Sequence, residues 1–408
     1  MAVLSETSSA IAWLNRFDVV HRESAVDLID EVLLVTRDDF FHGLRSLVDD
    51  VVGMRSDPAR KVALYAERPI KKVFGKVPSF FPNSRHGRAT GPGVAPIVVD
   101  PRDQEVGSEG VVVQFITDHC RRNRSTSLSH PGPTKMRKDK VGEIVILTDF
   151  IGSGKRITRM LESFRYVATL RSWLSYGLIR FIVIAYSGTT EGMTAVCSHK
   201  LRPEIKILAG CPTIHNTFYG AKRSKVEALC KTYPTHHSNP LGYENTAALI
   251  AFAHGCPNNV PPILRSRASG WVPLFEGRST SNASSAFFPR GNDDLLDQRT
   301  QNLLGIKEAR KTLTSLEHRR WISAMLILAA VEVGLRTPEQ ISSRTHLKIN
   351  QVTMIVSKAR EARWLDDITR LTRLGRYELA RLRRRRKNAP VLFSTSKNFY
   401  YPTQLRAP

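Results

Sequence analysis

The sequence predicts an α/β protein: a doubly wound parallel sheet, preceded by a helical layer and followed by a basic helical domain. Two observations carry this. Ile144-Val-Ile-Leu runs through Thr148-Asp149 into the turn Gly152-Ser153-Gly154 and then the amphipathic ITRMLESF. That order is a buried parallel strand feeding a helix. Further apolar runs, LIRFIVIAYS at 178–187 and IKILAG at 205–210, follow with helix-compatible sequence between them. Strands alternating with helices close most readily as a parallel, doubly wound sheet.

The elements follow in chain order. From about residue 8 to 54 apolar side chains recur at helical spacing, including Trp13, Phe17, Leu28, Phe40 and Leu44. Thr36 is placed to cap the last helix of this layer. Residues 78–96 are rich in Pro, Gly, Ser and Arg, which is loop chemistry, and a short strand is expected at 95–99. Gly107-Ser108-Glu109-Gly110 then leads into VVVQFITDHCRR, a second strand-turn-helix corner. Residues 220–231 read as a helix, and Cys256-Pro-Asn-Asn and Trp271-Val-Pro-Leu-Phe275 close the sheet domain. The expected divisions are an N-terminal layer at 1–77, a sheet domain at 78–278, a linker at 279–314, a helical domain at 315–387 and a tail at 388–408 packing back on the body.

Composition narrows the class. No run approaches 18 uninterrupted apolar residues and no basic-apolar leader opens the chain, so a cytoplasmic protein without membrane contact is expected. Five scattered cysteines with no C-x-x-C pair argue against a disulfide framework and against zinc, and no residues are assigned to a resident metal. The net charge of +24 asks for a polyanionic partner.

The turn after the central strand has the chemistry of a phosphate cradle. Glycines let backbone N–H groups converge, and the helix dipole adds about half a positive charge at its N-terminus. An ATP-binding Walker A loop is excluded, because Asp149 stands where its first Gly belongs and Lys155 is followed by Arg156 instead of Ser or Thr. A side chain at position 154 is expected to block the approach of a phosphate.

In the C-terminal domain, Thr337-Pro338-Glu339-Gln340 has the form of a capping box with Pro at the first helical position. Asn350 is expected to cap a third helix that buries Val352, Ile355, Val356 and Ala359. With Leu371-Thr372 and Gly375-Arg376 after it, the stretch resembles a winged helix-turn-helix. Its third helix presents Gln351, Thr353, Ser357 and Lys358, with Arg360 and Arg363 nearby, to bases or phosphates. Arg383, Arg384, Arg385 and Arg386 concentrate the charge further. Residues 309–388 hold 19 Lys and Arg against 7 Asp and Glu, half of the total excess.

The central stretch itself resembles the phosphoribosyl-pyrophosphate loop of type I phosphoribosyltransferases, and with GSEG, PNN, WVPLF and the terminal YYPTQLR the chain resembles phosphoribosyltransferase-like proteins with a C-terminal extension. The resemblance implies a type I phosphoribosyltransferase-like sheet. It implies that Asp149 grips the ribose or a ligand-borne Mg²⁺, that Gly152 to Arg156 hold the 5′-phosphate, and that 107–110 hold the leaving pyrophosphate. Thr148 departs from the family's pair of acidic residues, which puts catalysis in question. Related proteins are effectors of bacterial anti-phage systems, retrons among them. That implies a toxic effector acting on phosphoribosyl pyrophosphate or a nucleotide, restrained by a reverse transcriptase and its RNA–DNA product. The other class is a non-catalytic, ligand-sensing transcriptional regulator, as in purine repressors, which join the same modules in the opposite order.

Overall fold

The computed structural model describes residues 4–55, 57–96, 109–234, 237–267, 270–287, 292–305 and 316–384. The strand expected at 95–99 falls largely outside them, as does the tail at 388–408.

The N-terminal layer comprises α1 (Ser8–Leu14), α2 (Val19–Asp30), β1 (Leu33–Val35) and α3 (Arg37–Gly53). The sheet domain follows with β2 (Lys61–Ala66), the small hairpin β3 (Ser84–Arg85) and β4 (Arg88–Ala89), α4 (Glu109–Arg122), β5 (Ser127–Ser129) and α5 (Pro133–Lys138). Next come β6 (Val141–Ile151), α6 (Lys155–Arg165), α7 (Ala168–Ser175), β7 (Arg180–Gly188), α8 (Thr190–Cys197) and β8 (Glu204–Gly210). Short α9 (Ile214–Thr217), α10 (Gly220–Thr232), β9 (Ile250–Phe252) and α11 (Pro262–Arg265) complete it. Beyond lie α12 (Asn292–Leu304), α13 (Leu316–Glu332), α14 (Pro338–Thr345), α15 (Ile349–Glu361) and α16 (Arg373–Arg384).

Five strands form one parallel sheet in the order β5-β2-β6-β7-β8. Its strands are buried on both faces, so they read as continuous apolar runs. Alternation nevertheless sorts the side chains: Leu64, Val145, Leu147, Ile182 and Ile184 face one core, shared with the N-terminal layer. Tyr65, Ile144, Ile146, Val183 and Ala185 face the other, under α5 to α8. The doubly wound α/β architecture predicted from sequence is therefore present.

Two expected divisions differ from what the chain does. The 1–77 layer is not only helical, because β2 lies inside the sheet next to β6 and β1 pairs in parallel with β9. Three residues of strand between two helices leave no period of their own to read. The 279–314 stretch, expected as a linker, contains α12. Its Arg299 is buried against Glu31 at 2.6 Å and donates to the Asp30 carbonyl at 2.7 Å. The polar sequence hides this helix because few of its residues are apolar: Leu296 and Leu304 are buried in the C-terminal core, and charge pairing at Arg299 supplies the rest of the anchor.

The C-terminal domain has its own core, with Met325, Leu326, Val352 and Leu379 inside. Thr337 and Gln340 make the capping box as expected. The third helix starts earlier than expected, with Lys348 as its N-cap. Ile349 packs against the core of the sheet domain, so it is drawn into the helix, and Asn350 instead accepts from the Gln351 amide at 2.8 Å. Leu365 and Leu371 bridge antiparallel, forming a minimal wing before α16.

α14 lies directly on β8. The Gly210 amide donates to the Ser342 hydroxyl at 3.0 Å, and Arg344 donates to the Thr217 carbonyl at 2.8 Å. The approach is so close that a Cβ at Gly210 would stand 2.1 Å from the Glu339 carbonyl oxygen. Gly210→Val should therefore undock α14 without touching the core of the C-terminal domain. We expect faster amide exchange in 338–345 and 204–210 together, and a loss of about 2 kcal/mol or more in urea unfolding. Wild-type exchange in both segments would refute this packing account.

Candidate functional site

The strand order reverses between β2 and β6. β2 continues through β5 on one side, and β6 continues through β7 and β8 on the other. In open α/β sheets such a reversal leaves a crevice at the carboxyl ends of the strands. Here it is a cleft of about 500 Å³ whose lining includes Glu67, Asp149, residues 152–156, His254 and Asn259.

The turn expected to cradle phosphate forms one wall. Gly154 is the N-cap of α6 at φ +71°, a left-handed conformation that glycine adopts without penalty. No described group accepts a hydrogen bond from the backbone amides of residues 153–157. They are the orphan donors of the first helical turn, and the dipole of α6 points its positive end at the same place. The turn is wedged in place: Cβ atoms built at Gly154 and Gly192 would stand 2.6 Å from the Gly192 carbonyl oxygen and 1.9 Å from that of Gly152. A side chain at 154 therefore disturbs the fold itself, beyond the expected effect on phosphate approach.

The floor is polar. Thr148 is buried, and its hydroxyl lies 2.6 Å from a Glu67 carboxylate oxygen and 3.2 Å from Asp149. A carboxylate from the end of β2 thus stands beside the position where Thr148 replaces an acidic residue. Burial pushes the Glu67 carboxyl above its usual range, while Arg156 and the Thr148 hydroxyl pull it back. Arg156 lies 3.2 Å from Glu67 and also pairs with Glu109. Of the second expected phosphate loop, Gly107 and Ser108 lie outside the described residues, whereas Glu109 and Gly110 begin α4. The His254 ring, delivered by β9, comes within 3.6 Å of the Asp149 carboxylate.

The outer rim closes over Lys155, whose ammonium meets Glu244 at 2.6 Å. The hydrogen bond between them raises the Lys155 pKa and lowers that of Glu244. Asn259 holds this rim by donating to the Thr246 hydroxyl at 2.9 Å, and its side chain backs directly onto Gly152.

In the C-terminal domain, Gln351, Thr353, Ser357, Lys358, Arg360 and Arg363 are all exposed. Arg360 is tied to the wing by a 2.7 Å hydrogen bond to Thr369, and Arg383 is paired with Glu332 at 2.8 Å. The Arg384 side chain, Arg385 and Arg386 lie outside the described residues.

A protein-family model described as PRTase-CE matches residues 10–276. The chain belongs to that family. A second model, wHTH-PRTase associated, matches residues 325–407, so the PRTase-CE chain is phosphoribosyltransferase-like with a C-terminal winged helix. No curated protein and no solved structure matches this PRTase-CE chain. Among its described residues no cluster of His, Cys, Asp or Glu could hold a metal ion alone, and no helix is long and apolar enough to cross a membrane.

Sequence reading brought Asp149 and 152–156 together but missed Glu67, Glu244 and His254. Each follows a strand or turn with no motif of its own. The Pro-Asn-Asn stretch was visible, yet only the fold shows Asn259 bracing the turn at Gly152.

Gly154→Ala should cost the PRTase-CE chain about 1–3 kcal/mol by strain and by collision with Gly192. Lys155→Gln, at an exposed ion pair, should leave stability close to that of the wild type. Urea unfolding of both variants checks this; equal stabilities would contradict the wedged turn.

Proposed function

We propose that this chain is an effector of a bacterial anti-phage system of retron type, acting on phosphoribosyl pyrophosphate or a nucleotide and touching nucleic acid through its winged helix. The observation that carries the ligand reading is the set of unpartnered amides at 153–157 facing a cleft floored by Asp149. A 5′-phosphate held there receives N–H donors and the dipole of α6 at once. Lys155 and Arg156 add charge on the same turn. Asp149 and Glu67 then face the ribose, where carboxylates accept from its hydroxyls.

Mg²⁺ suits this donor set only as an ion carried by the ligand, because it binds through one or two carboxylates plus substrate phosphates and keeps its waters. Asp149 is the carboxylate that would hold it, and the ion would neutralise charge on a departing pyrophosphate. The chain's own work is to fix the sugar phosphate, orient the ribose and close the rim against water. The Glu67 carboxylate beside Thr148 favours chemistry over mere sensing, since the cleft retains two carboxylates despite the substitution.

One variant tests ligand and effector together. Asp149→Asn should weaken calorimetric binding of phosphoribosyl pyrophosphate with Mg²⁺ by tenfold or more. It should also relieve growth arrest when the protein is expressed without its neighbouring genes. Unchanged affinity removes the site, whereas lost binding with no growth difference removes the effector role alone.

For the winged helix, full-length protein should bind duplex DNA with a log–log salt slope of about −5, if about six phosphates are neutralised. Replacing Lys358 and Arg363 with Gln should flatten the slope by nearly 2 on every sequence, while changes at Gln351 and Ser357 alter preference among sequences. Fluorescence anisotropy across a salt series reads this, and a slope near zero assigns the basic face to a protein partner.

A further inference from the structure

The C-terminal stretch accounts for an excess of 12 positive charges out of 24, so as much again lies elsewhere on the chain. Part of it gathers at the end of the sheet opposite the cleft, where β6 and β7 begin. A groove of about 890 Å³ opens there, with Arg60, Arg88, Arg137, Lys140, Trp173 and Tyr176 on its walls. Asp57, 3.6 Å from Arg60, is the acidic residue of its lining. Among the described residues Arg88, Arg137 and Lys140 have no carboxylate partner. Backbone carbonyls also hold two of the guanidinium groups in place: Arg60 donates to Leu178 at 2.6 Å and Arg137 to Ala89 at 3.2 Å.

The aromatic groups stand among these cations. The Arg137 guanidinium lies 5.6 Å from the centre of the Trp173 ring, and Tyr176 is 78% exposed. A solvated tyrosine beside a guanidinium-covered indole is a stacking platform, and fixed cations around it suit a phosphodiester backbone. We propose that this groove binds single-stranded nucleic acid, with phosphates on Arg88, Arg137 and Lys140 and an unstacked base on Tyr176. Duplex fits it less well, since paired and stacked bases leave the aromatic platform idle. This site is separate from the winged helix and from the cleft, and it rests on neither reading.

The test uses the full chain and labelled oligothymidine or oligouridine about a dozen nucleotides long, the two arms separating DNA from RNA. Tyr176→Ala should lower affinity for the preferred strand about tenfold and leave duplex binding unchanged. Arg88→Gln with Lys140→Gln, both exposed, should flatten the single-strand salt slope by about 1.4. Both effects should persist when Lys358 and Arg363 are also Gln. Photocrosslinking with bromo-substituted oligonucleotides should mark the peptide carrying Trp173 and Tyr176. Crosslinks confined to 338–384, an unaltered slope in the charge variant, or no binding by the wild-type chain at low salt would each overturn the proposal. A groove that serves an acidic protein would give those same negative results.

Discussion

The reversal of strand order between the parallel neighbours β2 and β6 is the constraint on which the cleft depends. Because the chain leaves β2 towards one edge of the sheet and returns through β6 towards the other, no connection fills the space above their ends. Glu67 and Thr148-Asp149 are left side by side at that gap, on strands whose interiors are too well buried to shift. Everything around them is arranged by close backbone contact. Gly152, Gly154 and Gly192 interlock where side chains would collide, which fixes the turn's amides in one direction. The floor and turn are closely packed, whereas the rim is built from exposed, ion-paired long side chains.

How much of this was legible in the sequence depended on the range of the interactions. β6 and α6 were plain, because a buried strand, a Gly-Ser-Gly turn and an amphipathic helix are each written in adjacent residues. The capping box at Thr337 was legible for the same reason. Glu67 was not, since it owes its place to pairing between strands separated by about eighty residues of chain. His254 and Glu244 likewise arrive through β9 and a turn of left-handed residues, features that show no period. Helix α12 has the polarity of a linker because Arg299 meets its partner, Glu31, only across a long stretch of chain. The cap of α15 moved for a related reason: Ile349 answers to the neighbouring domain as well as to its own helix.

The charge of the chain is distributed unevenly in function as well as in number. Cations in the cleft, such as Arg156 and Lys155, are already matched by Glu67, Glu109 and Glu244. An incoming anion there exchanges partners with a carboxylate, so its gain is smaller than the raw charge suggests. On α15 and in the groove opposite the cleft, most cations lack such partners among the described residues. Unpaired surface cations contribute more to the long-range field of the chain than cations already matched by carboxylates.

The contact of α14 with β8 has a consequence for how the chain can be divided. β8 is the last strand of the sheet, and an uncovered last strand offers unpaired backbone groups to any other strand it meets. The Ser342 hydroxyl takes up the Gly210 amide at that margin, and α14 and α15 lie along it. The winged helix is thus a lid on an adhesive border as well as a module with its own core. A fragment ending before it would carry the whole cleft yet expose that border, and self-association is the behaviour to expect of it. The contact is thus a structural reason for the two modules to share one chain.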